Sequence, residues 1–316
     1  MSLSTTTDKN THWANVREAG TLFGMRILFS LYQNLGRRAF SLVLVPVVIY
    51  FVVFRTYARK SSFEYLRQHH QYFPHLWNTT VNYKHVYTHF LRFAETILDK
   101  ILAWNPDAIV EKFEVSSSDN FEKLISSPEG QLLIGAHIGN LEYCRSLIQK
   151  AKTKTINILV YEKHSSNFIS MMDQANSESR LNIYQVDELD IPTILSFREK
   201  VDKGEWVFIA GDRVPVSGMD RTAEVNFLGK TAKLPIGPYF LAHALACPVN
   251  VIFSYRNHET KSIILDIEPF SEKIVLPRKS RDAELTSYAQ QFSAHLERLC
   301  ENAPFQWFNF YSFWSK

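Results

Sequence analysis

The chain has 316 residues, 46% of them hydrophobic and 14% aromatic, with a formal net charge of +3. That is apolar material for one large domain or two small ones, and the charge is too weak to make nucleic acid the partner. The only cysteines, Cys144, Cys247 and Cys300, form no CxxC pair, which argues against a disulfide framework or a thiolate zinc site and fits a reducing compartment.

Residues 1–13 are polar and read as disordered. From Leu22 the apolar positions Phe23, Met25, Ile27, Leu28, Leu31, Tyr32 and Leu35 fall at helical spacing, and Arg17, Arg26, Arg37 and Arg38 interleave or flank them. This reads as a basic amphipathic helix. Residues 39–54 then run 16 positions without a charge. A full membrane span needs roughly 20 apolar residues, and Pro46 would kink a helix in the middle of this one. Arg37 and Arg38 precede the run, and Arg55, Arg59 and Lys60 follow it. Basic residues at both ends fit a hairpin or in-plane element whose ends face the same water. The expectation is an N-terminal tail with membrane-associating helices over 1–60, monotopic or held by a single hydrophobic anchor, and no signal peptide. The other reading of 39–54 is a buried core helix.

Residues 61–108 read as helical and aromatic. His85 and His89 sit four apart, a spacing that can chelate a metal. No Glu follows His85 and no carboxylate cluster lies near, so partly buried histidines on a helix face are the better reading, and no metal is expected.

From Ala108 onward the pattern alternates. Strand-like runs fall at 109–115, 131–136, 155–160, 182–186, 206–210, 224–228, 249–255 and 262–267. Helix-like runs fall at 167–175, 191–201, 237–246 and 283–300. Alternation of this kind predicts an α/β domain over 61–316, a largely parallel central sheet flanked by helices.

Within it, Leu132, Leu133 and Ile134 lead through Gly135 and Ala136 to His137. Gly139 and Asn140 mark a turn and a helix cap, so 141–150 is predicted helical. Along one continuous helix His137 and Glu142 would diverge by about 140°. With His137 on the turn and Glu142 in the first helical turn, the two side chains can meet. A histidine held by a carboxylate at a strand mouth is a candidate general base. Asp212 and Arg213 follow the strand at 206–210. If the two strands are parallel neighbours, His137, Asp212 and Arg213 face one crevice at the carboxyl ends of the sheet. Asp212 and Arg213 could equally be an ion pair capping a strand. Phe227, Leu228, Gly229 and Lys230, with Gly237 and Pro238 downstream, suggest a loop shaped for close backbone approach. Lys230 is otherwise a solvated loop charge. Cys144 reads as a small buried side chain rather than an acyl-accepting thiol.

In this order the blocks resemble the lysophospholipid acyltransferase superfamily, in the branch of the late acyltransferases of lipid A biosynthesis. The match comprises His137 with Glu142, the Gly211-Asp212-Arg213 segment, Phe227-Leu228-Gly229 with Gly237, Pro248-Val249, and Pro304-Phe305-Gln306-Trp307. The segment after Trp307 lacks the basic residues of the lipid A enzymes, and Gly-Asp-Arg differs from their second block, which points to a divergent subgroup.

The resemblance implies an O-acyltransferase at the cytoplasmic face of the inner membrane. It would move a fatty acyl group from acyl carrier protein or acyl-coenzyme A, as co-substrate and without a cofactor, to a hydroxyl of a lipid or glycolipid. His137 would be the base and Glu142 its orienter. Backbone N–H groups at Gly139 and Asn140 would meet the oxyanion, and Arg213 would hold a phosphate, with Asp212 orienting it or a hydroxyl. Gly229 and Lys230 complete the candidate substrate-binding set. A thioester or ester hydrolase using the same pair, and a non-catalytic lipid-binding membrane protein, are the competing functions.

Overall fold

The computed structural model describes residues 40, 42–102, 112–144, 154–160, 181–185, 190–214 and 221–314. The expected tail at 1–13, the amphipathic helix at 22–35, the helix at 167–175 and the continuation of 141–150 beyond Cys144 lie outside these residues.

Helix α1 (Leu42–Phe54) stops at Arg55 and bends by 93° into α2 (Thr56–Tyr72). The Arg59 guanidinium fixes this corner by donating to the carbonyl oxygens of Val52 and Val53, both at 2.7 Å. A cation suits this place because the last carbonyls of a helix have no partner within it. Among the described residues no single helix is long and apolar enough to cross a membrane. Phe40, Leu44 and Val48 are buried, whereas Leu42, Ile49, Tyr50, Val53 and Phe54 are exposed. Helix α2 continues through residues 60 and 61, where the sequence suggested a domain boundary. A single 3₁₀ turn at Pro74–Leu76 leads on toward α3 (Tyr83–Leu102).

The central sheet has seven strands: β1 (Lys112–Val115), β2 (Gln131–Gly135), β3 (Ile156–Val160), β4 (Leu181–Gln185), β5 (Trp206–Ala210), β8 (Val249–Asn257) and β9 (Ser262–Ser271). Their order is β1-β9-β8-β2-β5-β3-β4. Every neighbouring pair is parallel except β8 with β9. The largely parallel sheet expected from the alternating pattern is present. Strand β2 is buried along its whole length, which its uninterrupted apolar run anticipates for a parallel strand covered on both faces. Leu132 and Ile134 enter the main core, and Leu133 enters a second core on the other face with Trp206, Ile252 and Leu265.

The helices on the sheet are α4 (Ser118–Ser126), α5 (Ile191–Asp202), α6 (Gly237–Leu245) and α7 (Arg281–Asn302). The Asp190 side chain caps α5 at the Thr193 N–H (2.9 Å), and Pro192 sits in the first turn, where its missing donor costs nothing. Helix α7 buries Leu285, Ala289, Phe292, Leu296 and Leu299, a stripe at helical spacing.

The loop expected around Phe227–Gly237 is instead a two-stranded antiparallel hairpin, β6 (Thr222–Phe227) and β7 (Lys230–Pro235). Leu228 and Gly229 turn it, both with positive φ (51° and 77°), as the tight mirror-image hairpin turn requires. The turn is held from outside. Gln68 donates to the Leu228 carbonyl and Glu297 accepts the Leu228 N–H.

Candidate active site

Strands β2 and β5 are parallel neighbours in register, with Gly135 opposite Ala210. The residues that follow them leave the sheet side by side, which is how residues 75 apart in sequence meet. His137 Nδ1 and Asp212 Oδ1 lie 2.8 Å apart. The His137 backbone N–H donates to the other oxygen, Asp212 Oδ2, at 3.0 Å. An ionised carboxylate only accepts, so Nδ1 carries the proton and the Nε2 lone pair is left for chemistry. Among the described residues nothing is hydrogen-bonded to Nε2. Asp212 is 2% exposed, and the His137 side chain is 37% exposed.

Burial lowers the His137 pKa below the ordinary histidine value, and the Arg213 and Lys100 charges add to this, outweighing Asp212. Burial would raise the Asp212 carboxyl, but His137 and Arg213 prevail and hold it below the usual carboxylate range. Each shift favours the form that works: a neutral imidazole beside an ionised acid.

The sequence put Glu142 on His137, whereas the carboxylate on Nδ1 is that of Asp212. The chain does not turn into a helix directly after the histidine. Ile138 pairs with Trp307, Gly139 pairs with Ser254 on β8, and helical structure begins only at Glu142. Among the described residues the carboxylate hydrogen-bonded to His137 is that of Asp212.

The same pairing removes Gly139 and Asn140 as oxyanion donors. The Gly139 N–H donates to Gln306 O (2.8 Å) and the Asn140 N–H to Ser254 O (2.9 Å). Asn140 instead caps, its Oδ1 accepting the Glu142 N–H at 3.2 Å. Gly139 has φ +58°, and a Cβ there would collide with the Ser254 carbonyl oxygen. Only glycine fits between β8 and the segment after α7.

The profile of bacterial lipid A biosynthesis acyltransferases matches residues 9–316. The chain belongs to that family. A comparison with curated proteins returned no match. Membership makes the protein an acyltransferase, with a lipid as the acceptor in general terms.

In this acyltransferase Arg213 reaches the wall of the site, where Nη2 donates to Phe308 O at 3.0 Å. Gly229 and Lys230 are not brought to His137. Gly229 lies in the hairpin turn, where a Cβ would press on the Tyr72 ring, and Lys230 opens β7. The hairpin serves the site indirectly, because the Phe227 ring lies 5.0 Å from that of Trp307. His89 is not a metal ligand: Nδ1 is bonded to Ser62 Oγ (2.8 Å) and Nε2 to Trp307 O (3.0 Å). All three cysteines are buried, and burial raises their thiol pKa values, to about 11 at Cys247 and about 12 at Cys300, so none is a poised nucleophile.

Residues 306–309 border the site; sequence marks the aromatic tail from Trp307 as packing or the wall of an acyl groove, not as a partner of His137 and Asp212. Gln306 O takes the Gly139 N–H, Phe308 N–H donates to His137 O (2.9 Å), and Trp307 Nε1 donates to Asp212 Oδ2 (3.4 Å). The one signal for them was the Pro-Phe-Gln-Trp string.

Proposed function

We propose that the protein transfers a fatty acyl group from a thioester, on acyl carrier protein or coenzyme A, to a hydroxyl of a lipid or glycolipid, with His137 as general base. The observation that carries this reading is the His137–Asp212 pair, whose partly exposed imidazole keeps Nε2 open. The acceptor hydroxyl gives its proton to Nε2 as its oxygen attacks the thioester carbonyl carbon. The tetrahedral intermediate then collapses, the C–S bond breaks, and the imidazolium returns the proton to the departing thiolate. Asp212 fixes the tautomer and stabilises the imidazolium between these steps, as the acid does in a Ser-His-Asp triad, with the acceptor in place of the serine. Arg213 and Lys100 supply positive charge for the oxyanion or for a phosphate of either substrate. General-base help of this kind contributes typically about 10²–10⁴ in rate.

In this proposal the reaction runs at the cytoplasmic face of the inner membrane, with α1 lying in the interface. This is supported by the outward apolar face of α1, where Leu42 is 74% and Phe54 65% exposed, next to Arg55, Arg59 and Lys60.

The test is His137→Ala, assayed with a radiolabelled acyl thioester and membrane lipid while circular dichroism verifies folding. Loss of acyl-lipid product with an unchanged spectrum is expected, and full transfer rejects the proposal. Product analysis of the wild type separates the hydrolase: free fatty acid without acylated lipid counts against transfer.

A further inference from the structure

Asp212 accepts three hydrogen bonds, and two of them come from His137 itself. The third donor is Trp307, whose indole Nε1 reaches Oδ2 across 3.4 Å. We propose that Trp307 is a positioning residue of the acyl-transfer site, its indole N–H steering the Asp212 carboxylate so that Oδ1 stays on His137 Nδ1. The proposal rests on the reading of His137 as the base.

A carboxylate can rotate about its terminal bond, and one buried to 2% exposure has little water to settle its outer oxygen. Neighbouring donors must do so. Trp307 is suited to this because it is itself immobilised. It is 1% exposed, and the rings of Tyr65, Phe227 and Phe313 stand 5.0, 5.0 and 4.8 Å from its own. Its carbonyl is bonded to the buried His89 on α3, and its backbone pairs with Ile138, the residue after the base. Trp307 therefore touches both partners of the dyad: the carboxylate through its side chain and the histidine segment through its backbone. Packing alone does not require the N–H, since a carbocyclic ring would fill the same aromatic cage.

Sharing the carboxylate charge with an indole N–H leaves less of it for the imidazolium. Removing that donor strengthens the hold of Asp212 on the protonated ring, so His137 becomes more basic. Arg213 and Lys100 oppose protonation before and after the change. Tyr311 and Cys300, the other titratable groups coupled to Asp212, have raised pKa values and stay neutral near pH 7.

The experiment replaces Trp307 site-specifically with benzothienylalanine, which keeps the bicyclic shape and lacks the N–H, alongside W307F. Two quantities are read on the full chain: kcat and KM with a radiolabelled palmitoyl thioester and membrane lipid extract, and the titration of the His137 ring followed by NMR. In the isostere kcat is expected to fall about 10-fold, as for a lost hydrogen bond to a charged group, with KM within twofold and the His137 titration displaced upward. An isostere with unchanged kcat overturns the proposal. So does one with reduced kcat and an unmoved His137 titration, because that assigns Trp307 to packing alone. Failure of the base reading is seen separately, as transfer retained in His137→Ala, and the titration in the Trp307 variants still reports the link to Asp212.

Discussion

At His137 the proton sits on the nitrogen that faces Asp212. Asp212→Asn keeps the shape but presents an amide that can donate, which favours the wrong tautomer. Acyl transfer should drop about 10²–10⁴-fold, whereas Glu142→Gln should cost far less. Comparing the two initial rates decides which acid serves the base, and equal losses would restore Glu142. The pH profile carries a second prediction. A base whose pKa lies below the ordinary histidine value is still unprotonated as pH falls through 6.5, so the acid limb of kcat/KM should lie below that value. Arg213→Gln removes one of the charges that disfavour the imidazolium and should move the limb to higher pH. Sequence reasoning put His137, Asp212 and Arg213 in one crevice because each strand is read from its own apolar run and the crevice follows from their being parallel. It paired His137 with Glu142 on five residues of local spacing. The Asp212 contact depends on which strand lies next to β2, which no local pattern records.

Among the elements, α2 and α3 each bury a histidine against the chain near the site. His69 accepts from Trp77 Nε1 (3.0 Å) and is bonded through Nε2 to Cys300 O (2.8 Å), while His89 bridges Ser62 and Trp307. Both rings are neutral and carry no exposed surface. Burial lowers both pKa values from 6.5 to about 4. A folded pKa below the unfolded one means that stability is whole above pH 6.5 and is lost as pH falls from 6.5 toward 4. The loss is up to roughly 3 kcal/mol per histidine. Thermal melts across that window should show a steep fall, flattened in His69→Gln. Two elements escaped sequence analysis. Helix α4 is only nine residues and polar on its outer face, though Ser117 caps it at the Asn120 N–H. Strand β7 holds Lys230 and Lys233 and ends at Pro235, so its alternation is diluted by charge, and its pairing with β6 supplies what its composition lacks. The long runs in β2, β5 and α7 were plain because burial and periodicity agree there.

On the scale of the whole molecule, the outer side of α1 is an apolar face exposed among the described residues. A flotation assay with anionic vesicles checks its role. Replacing Leu42, Ile49 and Phe54 together with serine should release the protein from vesicles at unchanged melting temperature. Burial of large apolar side chains is worth about 1.5–3 kcal/mol each, so a triple change should be decisive. Unchanged flotation would move the anchor elsewhere. The sequence suggests an in-plane element because 39–54 is short and bracketed by basic residues. It could not foresee the corner at Arg55, which depends on Arg59 folding back onto carbonyls of the preceding helix.

The hydrogen bonds from residues 306–309 to the His137 segment also set an order of events during synthesis. Strand β2 ends at Gly135 and β5 at Ala210, so even the later of the two leaves the ribosome nearly 100 residues before the segment that clasps the His137 turn. A nascent chain can thus bring His137 and Asp212 together before the segment that packs over the pair exists. Until translation has passed residue 308, the His137 turn lacks the hydrogen bonds that hold it from the C-terminal side.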